Sequence, residues 1–182
     1  MKFYREITLK DGRKCILRSA ENYDAEAFLD YFEKAHGETE FLLTYPDETA
    51  RDVKKEEKIL EETLEDNGSA EICALIDGKI VGSAGIDAVL KYEKTGHRAE
   101  YGVSIIKEFW GLGIGSELTK ACIECAEKAG YRQLELDVVS ENERAIALYR
   151  KFGFVEYGRN PRAFRTRDGR WQELVLMRLE IM

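Results

Sequence analysis

The chain has few of the features that mark membrane-embedded, secreted or extended proteins. It contains two prolines in 182 residues, and no apolar run is longer than five residues, as at 72–76. A membrane-spanning helix needs about 20 apolar residues, so we expect no such segment. The first residues also lack the apolar block and small-residue cleavage site of a secretory signal. We therefore expect a cytoplasmic protein.

An excess of positive charge is also missing. The chain has 28 Lys and Arg against 35 Asp and Glu, a formal net charge of −7. Because sequence-independent nucleic-acid binding depends on cations that neutralise phosphates, this balance disfavours a nucleic-acid partner and favours cationic small molecules or lysine-rich partners. A local cluster of arginines near the end is either a solvated hairpin or an anion site. Its members are Arg159, Arg162, Arg165, Arg167 and Arg170.

Only four cysteines are present, and they do not form a metal-binding pattern. Cys122 and Cys125 make one C-x-x-C, with no second pair, so we expect no metal site. Both lie on the apolar stripe of a predicted helix, which favours core packing over a redox role. With 44% apolar residues, a chain of this length can bury a core without disulfides or metal. We expect one domain over residues 1–182.

The order of elements predicts a mixed α/β sheet. Strands are expected on both sides of Asp11-Gly12, then an amphipathic helix ending at Gly37 and an exposed helix within 47–66. Further strands are predicted at 70–76, 79–90, 97–106 and 134–139, and a closing hairpin at 155–164 and 171–181. Helices are predicted from the glycine turn to Gly130 and from Asn142 to Gly153. The result is a mostly antiparallel sheet of about seven strands with about four helices.

A glycine-rich turn lies between a predicted strand and a predicted helix. Glycines allow a close backbone approach, and the helix start offers free N–H groups to a phosphate, although a purely structural turn remains an alternative. No Lys follows at the P-loop position, and the elements around the turn do not fit a dinucleotide-binding sheet. The turn reads Gly111, Leu112, Gly113, Ile114, Gly115, Ser116.

A second motif follows the next strand. Asn142 is suited to cap a helix and Gly153 to end it. Ala145 and Tyr149 lie on one face of that helix, where Tyr149 is either a core aromatic or a functional phenol.

Together the two motifs resemble the GNAT superfamily of N-acetyltransferases, which use acetyl-CoA. The family motif Q/R-x-x-G-x-G/A falls on residues 110–115, with Trp110 in place of Gln or Arg. The motif N-x-x-A-x-x-x-Y-x-x-x-G-F is matched by Asn142, Ala145, Tyr149, Gly153 and Phe154. The resemblance implies a GNAT-like acyltransferase fold and acetyl-CoA as cosubstrate, without a metal.

The resemblance also implies roles for particular residues. The strand before the glycine turn and the next strand splay apart in the family, and the pantetheine arm lies between them. Tyr149 matches the general acid, and Glu100 is a candidate base, with a solvent-facing glutamate or His97 as alternatives. The implied cofactor-binding positions are Val103, Ser104 and Ile105 on the strand, the turn residues 111–116, and Asn142.

The acceptor is an amine-bearing small molecule, such as a polyamine, or a protein amine. In the family it is shaped by segments that correspond to 38–46 and 158–170. We expect direct transfer from acetyl-CoA, and a homodimer is left open. Two other interpretations remain: a non-catalytic acyl-CoA-binding regulatory module, and a nucleotide-dependent enzyme that uses the glycine turn.

Overall fold

The computed structural model describes residues 1–181 as one sheet with helices on both faces. Within these residues the strands are β1 (Tyr4–Thr8), β2 (Lys14–Ser19), β3 (Ala70–Ile76), β4 (Lys79–Ala88), β5 (Arg98–Ile105), β6 (Gln133–Val139), β7 (Val155–Arg165) and β8 (Trp171–Glu180). The α-helices are α1 (Ala25–Gly37), α2 (Val53–Glu65), α3 (Ile114–Ala129) and α4 (Glu143–Lys151).

The sheet is mixed and mostly antiparallel, as predicted. Its order is β1-β2-β3-β4-β5-β6-β8-β7, and only β5 and β6 pair in parallel. The described residues form eight strands, which include both predicted arms of the opening hairpin, against the expected total of about seven. Strand β8 lies between β6 and β7, so β7 occupies the edge of the sheet.

The second helix lies within the charged segment 47–66, as predicted, and occupies its later part. It starts at Val53. Pro46–Glu48 instead form a separate 3-10 turn, and Asp52 caps α2 by accepting the Lys55 N–H at 3.1 Å. The proline favours a short turn there, and Asp52 competes with the backbone for the first helical N–H.

Two apolar layers cover the two faces of the sheet. Helices α3 and α4 pack on one face, where Leu118 and Cys122 are fully buried against strand residues. Helices α1 and α2 pack on the other face around Phe28, Leu60 and Leu75. The four cysteines are buried and free, and Cys122 and Cys125 belong to the α3 core, which confirms the packing prediction. In the described part of the chain, no helix is long and apolar enough for a bilayer crossing.

The arginine cluster lies on the β7–β8 hairpin, and most of its charges are paired there. Arg159 bonds Glu156 and Glu173, and Arg170 bonds Asp168. Arg162 and Arg165 both lie over the ring of Trp171. These contacts support the interpretation of a solvated, internally paired hairpin.

A tyrosine hydroxyl from α1 is inserted between β4 and β5. Ser83 and Ser104 are register partners in these strands, yet the Ser83 N–H donates to the Tyr31 hydroxyl at 3.0 Å. That hydroxyl donates in turn to the Ser104 carbonyl at 2.8 Å. Burial raises the pKa of the Tyr31 phenol, so it remains a donor at neutral pH. Helix α1 is thereby bonded into the sheet beside β5.

Replacing Tyr31 by Phe removes this hydroxyl and leaves a buried N–H and a carbonyl without their partner. We expect Tyr31→Phe to lower the free energy of unfolding by about 1–3 kcal/mol, measured by urea denaturation. Tyr92→Phe is the matched control because Tyr92 is 71% exposed. Equal stability of the two variants would show that the strands close up without the bridge.

Candidate active site

Strands β5 and β6 separate part-way along their length. They pair only from Arg98/Gln133 to Glu100/Glu135. Beyond that point β5 stays paired with β4 as far as Ile105/Gly82, whereas β6 follows β8 to Val139/Leu174. A gap therefore opens between the two strands, as the family resemblance implied.

Backbone groups of β5 face this gap without a strand partner. The His97 carbonyl accepts from Arg132 and Gln133 on the β6 side, and the Ile106 N–H donates to Val81 on the β4 side. Because backbone groups alternate along a strand, those of Val103 and Ile105 point towards β6. Their pairing with β6 has already ended, so the N–H groups of Val103 and Ile105 are free to bind a ligand.

The start of α3 lies at the end of this gap and has no side-chain cap. Gly113 is its N-cap residue and adopts a positive φ of 101°, and Gly111 adopts 84°. Side chains other than glycine rarely adopt such values. By contrast, Asn142 caps α4 by accepting the Ala145 N–H at 3.2 Å. The first N–H groups of α3 therefore keep their binding capacity and point at an open cleft.

A cleft of about 400 Å³ joins the gap to the α3 start. Ten of the residues predicted to bind or react line it: Val103, Ser104, Ile105, Gly111, Gly113, Ile114, Gly115, Ser116, Asn142 and Tyr149. Leu112 does not line it. Its carbonyl accepts the Lys10 N–H at 3.2 Å, and its side chain packs against the core. Glu100 lies outside the lining as well.

Three cationic side chains that the motif analysis did not single out also line the cleft. They are Lys10 from the β1–β2 turn and Arg144 and Lys151 from α4. Uncapped amides together with these cations form a donor set that fits a diphosphate. Sequence spacing could not reveal this set, because its members come from three distant segments.

Trp110 occupies the position where the family motif has Gln or Arg. Its indole Nε1–H donates to the Ile105 carbonyl at 2.7 Å, and its ring lines the cleft. An indole has one donor, so that donor is already used. Trp110 therefore contributes a flat apolar wall rather than a phosphate contact.

Tyr149 lies at the inner wall of the cleft, on α4. It is 7% exposed, and its ring packs edge-on to Tyr101 with centroids 6.1 Å apart. Burial raises the pKa of the Tyr149 phenol above its usual value. The hydroxyl is therefore protonated at neutral pH and able to donate a proton.

Acidic side chains share the α1/α2 face of the sheet beside the gap. Glu100 is exposed on β5, and Asp137 is exposed on β6. Glu71 lies on β3 over Gly85, where its carboxylate lies 2.5 Å from the position a Cβ would take. Burial raises the pKa of Glu71 to about 7. Partial desolvation and the nearby charge of Glu135 raise the pKa of Asp137. Such a face attracts an ammonium group.

His97 is exposed and precedes β5, at the opposite end of that strand from Ile105. Within residues 1–181, no group of three or more His, Cys, Asp or Glu side chains is placed to hold a metal ion.

A second, smaller cavity of about 200 Å³ lies between the α1–α2 loop and the β7–β8 hairpin. It shares Thr39 and Leu42 with the cleft. Arg167 of the hairpin packs 4.0 Å above the ring of Tyr45 and is ion-paired with Asp47. The Gln172 side chain donates to the Glu40 carbonyl at 3.1 Å. These contacts join the two segments that the resemblance implied for the acceptor.

An anion-binding turn that opens onto unpaired backbone donors and a buried phenol is suited to transfer of a group from a phosphorylated carrier. Comparison with known proteins gives the family. Residues 25–154 match the model of the Acetyltransferase (GNAT) family. The chain belongs to the GNAT family of acetyltransferases, which confirms the resemblance of its two motifs.

Relatives of known name or structure cover most of the chain. The L-amino acid N-acetyltransferase AaaT of Escherichia coli (strain K12) is 27% identical over 164 residues, 89% of this chain and 95% of that protein. A GNAT acetyltransferase from Streptococcus pneumoniae has a crystal structure that superposes with a TM-score of 0.88 at 28% identity, covering 92% and 99% of the two chains. The yncA structure from Salmonella typhimurium, which contains its cofactor acetyl-CoA, has a TM-score of 0.81 at 22% identity over 91% and 93%.

Proposed function

We propose that this chain is an acetyl-CoA-dependent N-acetyltransferase that transfers the acetyl group directly to the primary amine of a small molecule. The observation that carries the proposal is the continuity of the cleft, from the uncapped start of α3 to the unpaired backbone of β5. The end of the cleft at the α3 start suits a diphosphate, and the end at the β5 backbone suits a thioester carbonyl. The yncA structure, with acetyl-CoA bound, supports the choice of cofactor.

The chemistry is divided between backbone and side chains. Bound acetyl-CoA supplies an activated acetyl thioester. The N–H groups of Val103 and Ile105 lie about 7 Å apart along the extended strand, so one of them binds the carbonyl oxygen as negative charge develops on it, a contribution of about 3 kcal/mol in comparable sites. The other N–H is then available to the pantetheine arm. Glu100 accepts the proton of the acceptor ammonium through water, and the Tyr149 hydroxyl donates a proton to the leaving sulfur.

The size and charge of the acceptor region favour a small cationic acceptor. The second cavity, about 200 Å³, is below the 300–1,000 Å³ range of sites for drug-sized ligands. The carboxyl groups of Glu71, Glu100 and Asp137 lie outside that cavity, on the α1/α2 face of the sheet, and favour a group that arrives as an ammonium. The likeness of the chain to an L-amino acid N-acetyltransferase supports an amino acid as the first acceptor to test. Polyamines and protein amines are the other members of the acceptor class.

A panel of acceptors tests the proposed function. We expect CoA thiol release from acetyl-CoA to be stimulated by at least one free amino acid or other small amine, with N-acetylated product identified by mass spectrometry. The N-methylated acceptor and a reaction without acceptor are the controls. Binding of acetyl-CoA without turnover on amino acids, polyamines or basic peptides would contradict the enzyme and favour a regulatory module.

Tyr149→Phe tests the general acid. The variant keeps the ring and removes the proton donor, so we expect kcat to fall about 100-fold or more while the KM for acetyl-CoA changes little. Steady-state kinetics with the best acceptor measure both constants. Tyr157→Phe, on the exposed β7 strand, is the control. A wild-type kcat in Tyr149→Phe would exclude this phenol as the acid.

Glu100→Gln tests the base through its pH dependence. We expect kcat/KM to fall strongly at pH 7, where a lysine-like amine with a pKa of about 10 is almost fully protonated. The defect should shrink as the pH approaches 10, because the acceptor then loses its proton to solvent. Glu93→Gln, in an exposed loop, is the control. A defect of constant size between pH 7 and 10 would argue against proton removal by Glu100.

A further inference from the structure

The guanidinium of Arg144 is held above the glycine turn. Its Cζ lies 5.2 Å from the centroid of the Trp110 ring, and its Nη2 lies 3.5 Å from the position that a Cβ on Gly111 would occupy. Arg144 is the second residue of α4, so a rigid element sets its backbone. The guanidinium therefore lies where the cleft meets the free N–H groups of α3.

The donors of Arg144 have no partner among the residues that the structure describes. Throughout residues 1–181, no carboxylate lies within 4.0 Å of its side-chain nitrogens, although several other arginines, among them Arg98, Arg159 and Arg167, have carboxylate partners. A guanidinium carries five N–H donors in a planar fork that matches phosphate oxygens. Stacking on an aromatic face leaves the edge of that plane, where the donors lie, open to a ligand.

We propose that Arg144 binds the diphosphate of acetyl-CoA, and that Trp110 is the platform that holds its guanidinium over the glycine turn. The proposal rests on the proposed function, because it assigns a contact to the same cofactor. It also explains the Trp110 departure from the family motif. The side-chain donor that the turn lacks at position 110 comes from α4 instead.

Other cations near the turn are placed less well for this contact. Lys10 lies beside Gly113 and not beside Gly111. Its Cγ is 4.0 Å from the position that a Cβ on Gly113 would occupy. Lys151 follows Arg144 by about two helical turns, or roughly 10 Å along α4. The Lys107 ammonium lies 6.0 Å from the Trp110 ring but outside the cleft lining. Arg144 is therefore the cation directly above Gly111.

Calorimetric titration of Arg144→Gln with acetyl-CoA tests the contact without relying on turnover. A charge-assisted contact of this kind predicts a rise in Kd of about 10- to 100-fold. Acetyl-3′-dephospho-CoA should show the same fold-change, and S-acetylpantetheine, which has no phosphate, should show none. Loss of the effect with the 3′-dephospho compound would overturn the proposal by assigning Arg144 to the 3′-phosphate.

A second variant tests the link between the two positions. Trp110→Arg in the Arg144→Gln background places a guanidinium on the turn itself, and we expect it to restore most of the lost affinity. No recovery would contradict the shared role, provided that thermal unfolding shows a folded protein. Lys107→Gln is the control and should bind like the wild type. If the wild type itself fails to bind acetyl-CoA, the proposed function fails; if it binds and Arg144→Gln binds equally well, only this inference fails.

Discussion

The early end of β5–β6 pairing is the constraint on which the site depends. A fully paired sheet would satisfy every backbone group of β5 and leave none for a ligand. Here β5 is held by β4 to its last residue, while β6 is held by β8. The two strands belong to two halves of the sheet that diverge beyond Glu100 and Glu135. An unpaired N–H group is costly when it is buried. The unpaired N–H groups at the gap therefore favour binding of a ligand that accepts their hydrogen bonds.

The second constraint on the site is electrostatic and lies at the start of α3. Helix α3 begins at a left-handed glycine with no side chain bonded to its first amides, although α2 and α4 are both capped by their own side chains. A cap on α3 would satisfy the same amides that a phosphate needs. The helix start packs closely against the sheet gap at Gly115, where a Cβ would lie 3.3 Å from the side chains of Ile105 and Leu148.

Tyr31 links helix α1 to strands β4 and β5 beside the cleft. Its hydroxyl bonds β4 and β5 to α1, next to the residues that line the cleft. The loop after α1 in turn packs on the β7–β8 hairpin through Tyr45, Asp47 and Arg167. The two segments that the family resemblance implied for the acceptor are therefore both anchored to the sheet that lines the cleft.

Local signals in the sequence predicted most elements well. The turns Asp11-Gly12 and Asp77-Gly78 join paired strands, and Asn142 and Gly153 bound α4, because turn and cap chemistry act over a few residues. The predicted second helix lies within the charged stretch 47–66 but occupies only its later part, because Asp52 caps it there. The stated total of about seven strands was one below the eight observed, although each of the eight had its own predicted segment.

The sequence by itself determined the family, the glycine turn and the phenol on α4, because each is a short pattern of residues with its own local geometry. Only the tertiary structure decided which groups meet around the cleft. Arg144 reaches Gly111 across 33 positions of chain, and Glu71 acquires its raised pKa from burial in the folded sheet. Such juxtapositions follow from the packing of the sheet, which no local pattern encodes.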